Sequence, residues 1–435
     1  MRIGSSLAYS LTLPLLAGLA AFSSKDRFPD HELTLFFSWS LLLVLGVIFV
    51  ANFKYRGPAI VLFAAAVLIR ALALAAPDVG VLQMAWIALY AVITIVAGAC
   101  LVLKRPVLLL RQMYWVSILS VLMSLLQIHG VQWAQEFGSA IDWKVRGETP
   151  VLFQPYSYDL EIPMSQSRPD GFTHANNLTS QLLLFFYAYA VFHCSFKTNL
   201  PRPPLRWLFM IALASALSAG KVIVLGMLAV IAVAWLLPKR PDRKALFRTL
   251  TVTLAAYGLY FALYPVLFVI NFNLDWFIVN AMGRIVNLQS VTGISTFQPL
   301  IELLSSWYSN DYLEIRNPET WLLDVATLEA YSGIASMVDY LAVIVPVVVV
   351  GGILLVRSLR RLDELPIRNM RHLVVIMLLA SISSVFGGPF VTTVWFMFFL
   401  SFSLIPLTLP YLSRRFRQSI VASHKHPREL RPSIS

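Results

Sequence analysis

Apolar runs of about 20 residues recur along this chain from beginning to end, and that repetition constrains the fold more than any motif does. Each run is long enough, as a helix, to cross a hydrocarbon core roughly 30 Å thick. Inside such a core the backbone must satisfy its own hydrogen bonds, which a helix does within one segment. Charged residues make up only 13 % of the 435 residues, where soluble domains carry roughly 25 %, so too few exist to cover a soluble surface. The expectation is an all-α, polytopic integral membrane protein of about 12 transmembrane helices, forming a single domain over 1–435. The spans fall near 7–23, 33–51, 58–76, 81–103, 107–128, 177–195, 206–218, 221–237, 250–270, 337–356, 372–388 and 393–411.

The charges orient these spans. When alternate gaps are assigned to opposite sides, twenty-five of the 34 lysines and arginines fall on one side, with both termini. Eight fall on the other, and Arg70 lies inside a span. Basic loops stay in the cytoplasm, so both termini are expected there and the span count is even. The stretch 206–237 is therefore split at Ser218-Ala219-Gly220-Lys221. The net charge of +12 thus reflects membrane orientation, and no nucleic-acid partner is expected. The first apolar run lacks a small-residue cleavage site and is read as a retained span. Cys100 and Cys194 both lie on the reducing side, where no disulfide forms, and no Cys or His cluster has metal-ligand spacing. The basic tail, 412–435, is expected to rest on anionic lipid.

Two long loops then fall outside, about 129–176 and 271–336, and both are rich in aromatics such as Trp133, Trp143, Tyr156, Trp307 and Trp321. The segment Phe297 to Trp307 is amphipathic enough to lie on the membrane face. Arg168-Pro169-Asp170-Gly171-Phe172-Thr173-His174-Ala175-Asn176-Asn177 runs directly into a span. Pro169 and Gly171 force a turn there, and Asn176 or Asn177 suits a helix N-cap. Asn177-Leu178-Thr179 also matches a glycosylation acceptor, a chance match at the mouth of a span. Lys221 interrupts a long apolar stretch at the outer end of two short helices; it either snorkels to the headgroups or marks a recessed site. Arg284 follows Met282-Gly283, Arg316 and Glu319 flank Pro318, and Arg70 needs a partner such as Asp78, Asp339 or a lipid phosphate. Each alone fits a structural ion pair. Together Arg168, Lys221 and Arg284 form a set of outward cations suited to phosphate or pyrophosphate. No phosphate-binding loop, nucleophile elbow or zinc-peptidase motif is present.

At these residues the chain resembles the O-antigen ligase and polymerase superfamily, over roughly 165–356. Arg-x-x-Gly-Phe-x-His-x-Asn at 168–176 matches the Gly-Phe-x-x-x-Asn pattern that opens a span in members. A short helix ends Ser215-Ala216-Leu217-Ser218-Ala219-Gly220-Lys221, where members carry Ser-x-Ser-Arg-Gly. A long outer loop opens on an arginine-bearing helix and closes with Trp321-Leu322 and then Tyr331-Ser332-Gly333-Ile334. Lys221 replaces an arginine, keeping the charge but losing the bidentate fork. Pro318-Glu319 stands where ligases carry His-Asn, which favours the polymerase branch.

The resemblance implies a GT-C-like glycosyltransferase of the bacterial inner membrane, a Wzy-type polymerase working on the periplasmic face without metal, nucleotide sugar or other cofactor. It would join undecaprenyl-pyrophosphate-linked repeat units into O-antigen or exopolysaccharide, with the lipid bilayer as its medium and a chain-length regulator left open as a further partner. Arg168, Asn176, Lys221, Arg284 and Arg70 would hold substrate and pyrophosphate, with His174 or Glu319 as catalytic base. An O-antigen ligase that transfers polymer to lipid A core is the alternative within the family. A 12-helix transporter or flippase, with Arg70 and Asp339 on its path, is the alternative outside it.

Overall fold

In the computed structural model the residues described are 2–22, 32–75, 80–137, 169–173, 176–198, 200, 202–218, 221–237, 242–265, 313–317, 322–325, 341–364, 369–385 and 394–425. The helices are α1 (Arg2–Phe22), α2 (Glu32–Asn52), α3 (Arg56–Ala75), α4 (Gly80–Lys104), α5 (Pro106–Ile128), α6 (Gln132–Phe137), α7 (Asn176–Ser195), α8 (Leu205–Leu217), α9 (Lys221–Leu236) and α10 (Arg243–Leu263). After them come α11 (Leu341–Ser358), α12 (Met370–Val385), α13 (Val394–Ser403), α14 (Ile405–Thr408) and α15 (Arg414–Lys425). Strands β1 (Leu313–Asn317) and β2 (Leu322–Val325) pair antiparallel, with a register shift between Ile315 and Asn317. That hairpin is the departure from an all-helical chain among the described residues.

Each of the twelve apolar segments coincides with a helix or, for the last, with a bent pair. Six of these helices are long and apolar enough to cross a membrane, and a seventh span results if the bent pair counts as one. Four further apolar helices are shorter. The chain breaks between Leu217 and Lys221, where a single long helix would have violated the alternation of charge. The pair α13–α14 bends by 80°, and Pro406 in the first turn of α14 explains the break, because proline cannot continue the hydrogen-bond ladder of the helix before it. Helix α10 starts at Arg243, seven residues before the apolar segment that the sequence marks. Arg243, Lys244 and Arg248 lower the hydropathy of those first two turns.

Helix α7 is the axis of the bundle. Every described side chain from Leu178 to Phe196 is buried, and α5, α8, α9, α10 and α12 all pack against it. A helix apolar all round belongs in the interior, and three polar side chains of α7 find partners on these neighbours. Tyr187 shares a 2.9 Å hydrogen bond with Thr253, Ser195 shares one of 3.0 Å with Thr249, and Tyr189 donates to the Pro106 carbonyl at 3.3 Å.

Segments assigned to one side by charge meet at one end. There Arg202 pairs with Asp242 at 2.7 Å, Asn369 donates to the Lys197 carbonyl at 2.8 Å, and Asn52 donates to the Tyr9 hydroxyl at 2.9 Å. The opposite end gathers the C-termini of α5, α8, α10 and α12 with the N-terminus of α7, through the contacts described next. Cys100 and Cys194 are free, buried thiols.

Candidate functional site

The segment entering α7 folds as its composition requires. Pro169 to Thr173 form a turn that is buried throughout, and Gly171 adopts φ = +72°, which glycine reaches without the steric cost other residues meet. A Cβ at that position would lie 2.9 Å from both Ser120 Oγ and Thr179 Cγ2.

Gln127, from the last turn of α5, holds this glycine at two points. Its Oε1 accepts from the Gly171 N–H at 3.0 Å, and its Nε2 donates to the Gly171 carbonyl at 3.2 Å. The same Nε2 donates to the Ala134 carbonyl at 3.1 Å, while Gln135 Nε2 donates to the Gln127 carbonyl at 3.0 Å. One amide therefore ties α5, α6 and the turn together.

Three consecutive residues of α7 then reach three neighbours, because successive helical side chains point about 100° apart. Thr179 donates to the Asp170 carbonyl at 2.5 Å and lies 2.7 Å from the Thr173 hydroxyl. Since the Thr179 proton is already committed, Thr173 is the donor of the second bond. Ser180 donates to Ser218 Oγ at 3.2 Å, at the end of α8, and Ser218 donates onward to the Ser215 carbonyl at 2.8 Å. Gln181 accepts from Ser384 of α12 at 3.2 Å.

Around this cluster three buried polar atoms have no hydrogen-bond partner among the described residues: Ser120 Oγ, Ser124 Oγ and Gln181 Nε2. Ser120 and Ser124 are fully buried and Gln181 is 3 % exposed. Such groups cost about 1–3 kcal/mol each when left unsatisfied, so a cluster of them at the end of the central helix is a reserve of hydrogen-bonding capacity. The N-termini of α7 and α9 both open at this end, and backbone N–H groups at a helix start favour a bound anion. At the rim, Tyr264 lies 3.3 Å from His129 Nε2. Within the described residues no three His, Cys, Asp or Glu side chains gather to hold a metal. The arrangement suits hydroxyls and phosphate oxygens.

The residues singled out in the sequence are distributed unevenly over this geometry. Arg168 and His174 flank the buried turn in sequence but lie outside the described residues, as do Arg284 and Glu319. Asn176 opens α7 and Lys221 opens α9, three residues after Ser218; their side chains lie outside the described set too. Phe297 to Trp307, Asp78 and Asp339 are likewise outside it. Arg70 is placed elsewhere, between α3 and α4. It is 1 % exposed, its guanidinium sits 4.9 Å above the Trp86 ring, and Trp86 stacks on Tyr90 at 4.5 Å. Ser117, Ser120, Ser124 and Gln127 escape a hydropathy reading although they are spaced three, four and three apart along one face of α5. That spacing is the signal by which they could have been found.

Comparison of the chain with protein-family models, with curated proteins and with solved structures finds no match.

Proposed function

We propose that this chain is a glycan polymerase of the bacterial inner membrane, joining undecaprenyl-pyrophosphate-linked repeat units on the periplasmic face. The observation that carries the reading is the buried hydroxyl and amide cluster at the mouth of α7, built on the Arg-x-x-Gly-Phe-x-His-x-Asn segment. In this reading twelve spans place both termini in the cytoplasm and the cluster at the outer surface, in a GT-C-like arrangement. The resemblance of 165–356 to O-antigen polymerases supplies the substrate class.

Transfer requires the acceptor hydroxyl to attack the donor's anomeric carbon while the bond from that carbon to pyrophosphate breaks. The bonding pair leaves on the lipid pyrophosphate, and the hydroxyl proton goes to a base. Arg168, Lys221 and Arg284 hold the pyrophosphate and stabilise the charge it gains, with the helix starts of α7 and α9 adding to the same field. Asn176 and the uncommitted hydroxyls meet sugar oxygens. His174 or Glu319 takes the proton. Pro318-Glu319 in place of the ligase His-Asn pair favours chain extension over transfer to lipid A core.

The test is the surface polysaccharide of a deletion strain. A single repeat unit on the lipopolysaccharide, or lipid-linked single units accumulating with loss of a secreted polymer, is the expected result. Loss of all repeat units from the core, with long polymer retained on the lipid carrier, would identify a ligase instead. Unchanged polysaccharide would remove both and turn attention to transport. If Lys221→Ala and Arg284→Ala each restore long chains at normal expression, the assignment of those cations is wrong.

A further inference from the structure

The C-terminal helix α15 reads as a peripheral amphipathic helix, whose apolar face would normally enter the membrane surface. Here that face is already occupied. Phe416 and Ile420, one helical turn apart, are 3 % and 0 % exposed, and α15 packs against α4. Lys104, at the end of α4, lies 5.6 Å from the Phe416 ring and 5.2 Å from the Tyr9 ring. The helix is therefore docked on the bundle, with Arg414, Arg415 and Arg417 left exposed.

A backbone staple fixes those arginines against a second basic segment. The Lys54 N–H donates to the Tyr411 carbonyl and the Ser413 N–H donates to the Asn52 carbonyl, both at 2.7 Å. Phe53 and Leu412 form an isolated antiparallel bridge, and the Phe53 and Tyr411 rings stack at 6.3 Å. The turn between α2 and α3 and the lead-in to α15 thus form one surface. It exposes Lys54, Arg56, Arg414 and Arg415, with Tyr55 and Tyr411 beside them. No acidic residue occurs from Leu33 to Pro77 or from Leu365 to Arg428, so no carboxylate of either segment neutralises these cations. The surface also borders lipid-facing chain: Ile60 and Val61, one turn along α3 from Arg56, are exposed apolar residues. Exposed tyrosines with cations at such a border are the signature of a headgroup-level belt.

We propose that this composite surface is a binding site for anionic phospholipid, with Lys54, Arg56, Arg414 and Arg415 meeting the headgroup phosphates and Tyr55 and Tyr411 lying at the same level. The partner is a lipid rather than a soluble anion because the cations adjoin exposed apolar chain, where only a lipid satisfies both at once. The site does not depend on the polymerase reading.

The purified full-length protein in detergent is titrated with phosphatidylglycerol, and binding is followed by the shift in thermal midpoint. Phosphatidylcholine and inorganic phosphate serve as parallel titrants. Each cation at an anionic lipid surface contributes about 5-fold in affinity, so the triple variant Lys54→Gln, Arg414→Gln, Arg415→Gln should need on the order of 100-fold more phosphatidylglycerol. The matched variant Arg243→Gln, Lys244→Gln, Arg248→Gln removes three exposed cations elsewhere and should titrate like the parent. An unchanged titration of the first variant, an equal loss in the second, or an equal response to inorganic phosphate would each overturn the site. Should the triple variant fail to accumulate, the three single variants carry the same test, at about 5-fold each.

Discussion

Gly171 joins the most constraints at a single residue. Its left-handed backbone and the two atoms 2.9 Å from a would-be Cβ mean that Gly171→Ala must strain the turn or displace Ser120 and Thr179. The strain alone is about 1–2 kcal/mol, and the displaced atoms belong to the candidate site. We expect a lower thermal midpoint in detergent and, in the polymer assay, shortened chains at equal expression. Gln127→Leu should act similarly by another route, leaving both polar groups of the Gly171 backbone buried without partners, at about 1–3 kcal/mol each. If both variants melt like the parent, the clamp is not holding the turn. At the other end of the molecule Asp242 offers a pH test. The hydrogen bond from Arg202 holds its carboxyl below the usual range, assisted by the charges of Arg202 and Lys197. A depressed folded pKa adds stability above the unfolded value, near 3.9, and that contribution is lost as pH falls through the folded value. The difference in midpoint between parent and Asp242→Asn should therefore hold from about pH 8 to 5 and close below about pH 4. It should be small, because both partners are partly exposed.

At the level of elements, what could be read from the chain and what could not divide along physical lines. Hydropathy finds the helices because lipid-spanning segments must be apolar along their whole length, and charge alternation finds the break at Ser218 to Gly220 because a basic loop on the wrong side is costly. It does not find the start of α10, where the first turns are basic, nor the polar face of α5, since isolated serines scarcely lower the mean hydropathy of a span. The turn at Pro169 to Thr173 was legible from its proline and glycine. Its partner Gln127 was not, because that contact spans 44 residues of chain and no local rule points to it. Close packing of α4 on α13 is similarly hidden until both are placed. A Cβ at Gly98 would lie 2.1 Å from Ser401 Oγ and 3.2 Å from the Phe398 carbonyl, so small residues let these two helices approach, as is usual between membrane helices. Gly98→Ala should lower the midpoint by an amount equivalent to about 1–3 kcal/mol. Adding Ser401→Gly removes the nearer clash and should recover most of the loss. A double variant no better than the sum of the two singles would mean that the contact is not what separates the helices.

For the whole molecule, the arrangement of ends makes a prediction that six or seven unambiguous spans do not settle on their own. The basic turns gather at one end through Arg202 and Asp242, Asn369 and Lys197, and Ser413 and Asn52. The turn before α7, the end of α8 and the α5–α6 corner gather at the other. Helix α8, too short to pass a hydropathy test, still links these ends, because it starts near Arg202 and finishes at Ser218 beside Ser180. The proposal of twelve crossings with both termini inside therefore predicts that the basic end faces the cytoplasm. Single cysteines can map this directly, because the native thiols Cys100 and Cys194 are buried and can be replaced by serine or alanine for the purpose. Cysteines placed at exposed Arg56, Arg243 and Arg415 should resist a membrane-impermeant maleimide in intact spheroplasts and react after the membrane is opened. Cysteine at exposed Gln132, on α6 beside the Gly171 clamp, should react in both states. Labelling of Arg243→Cys from outside, with Arg56→Cys still protected, would mean that the chain crosses an odd number of times between α3 and α10. The hydroxyl-lined end of α7 would then have to be placed on the membrane afresh, and a periplasmic polymerase site could not stand there.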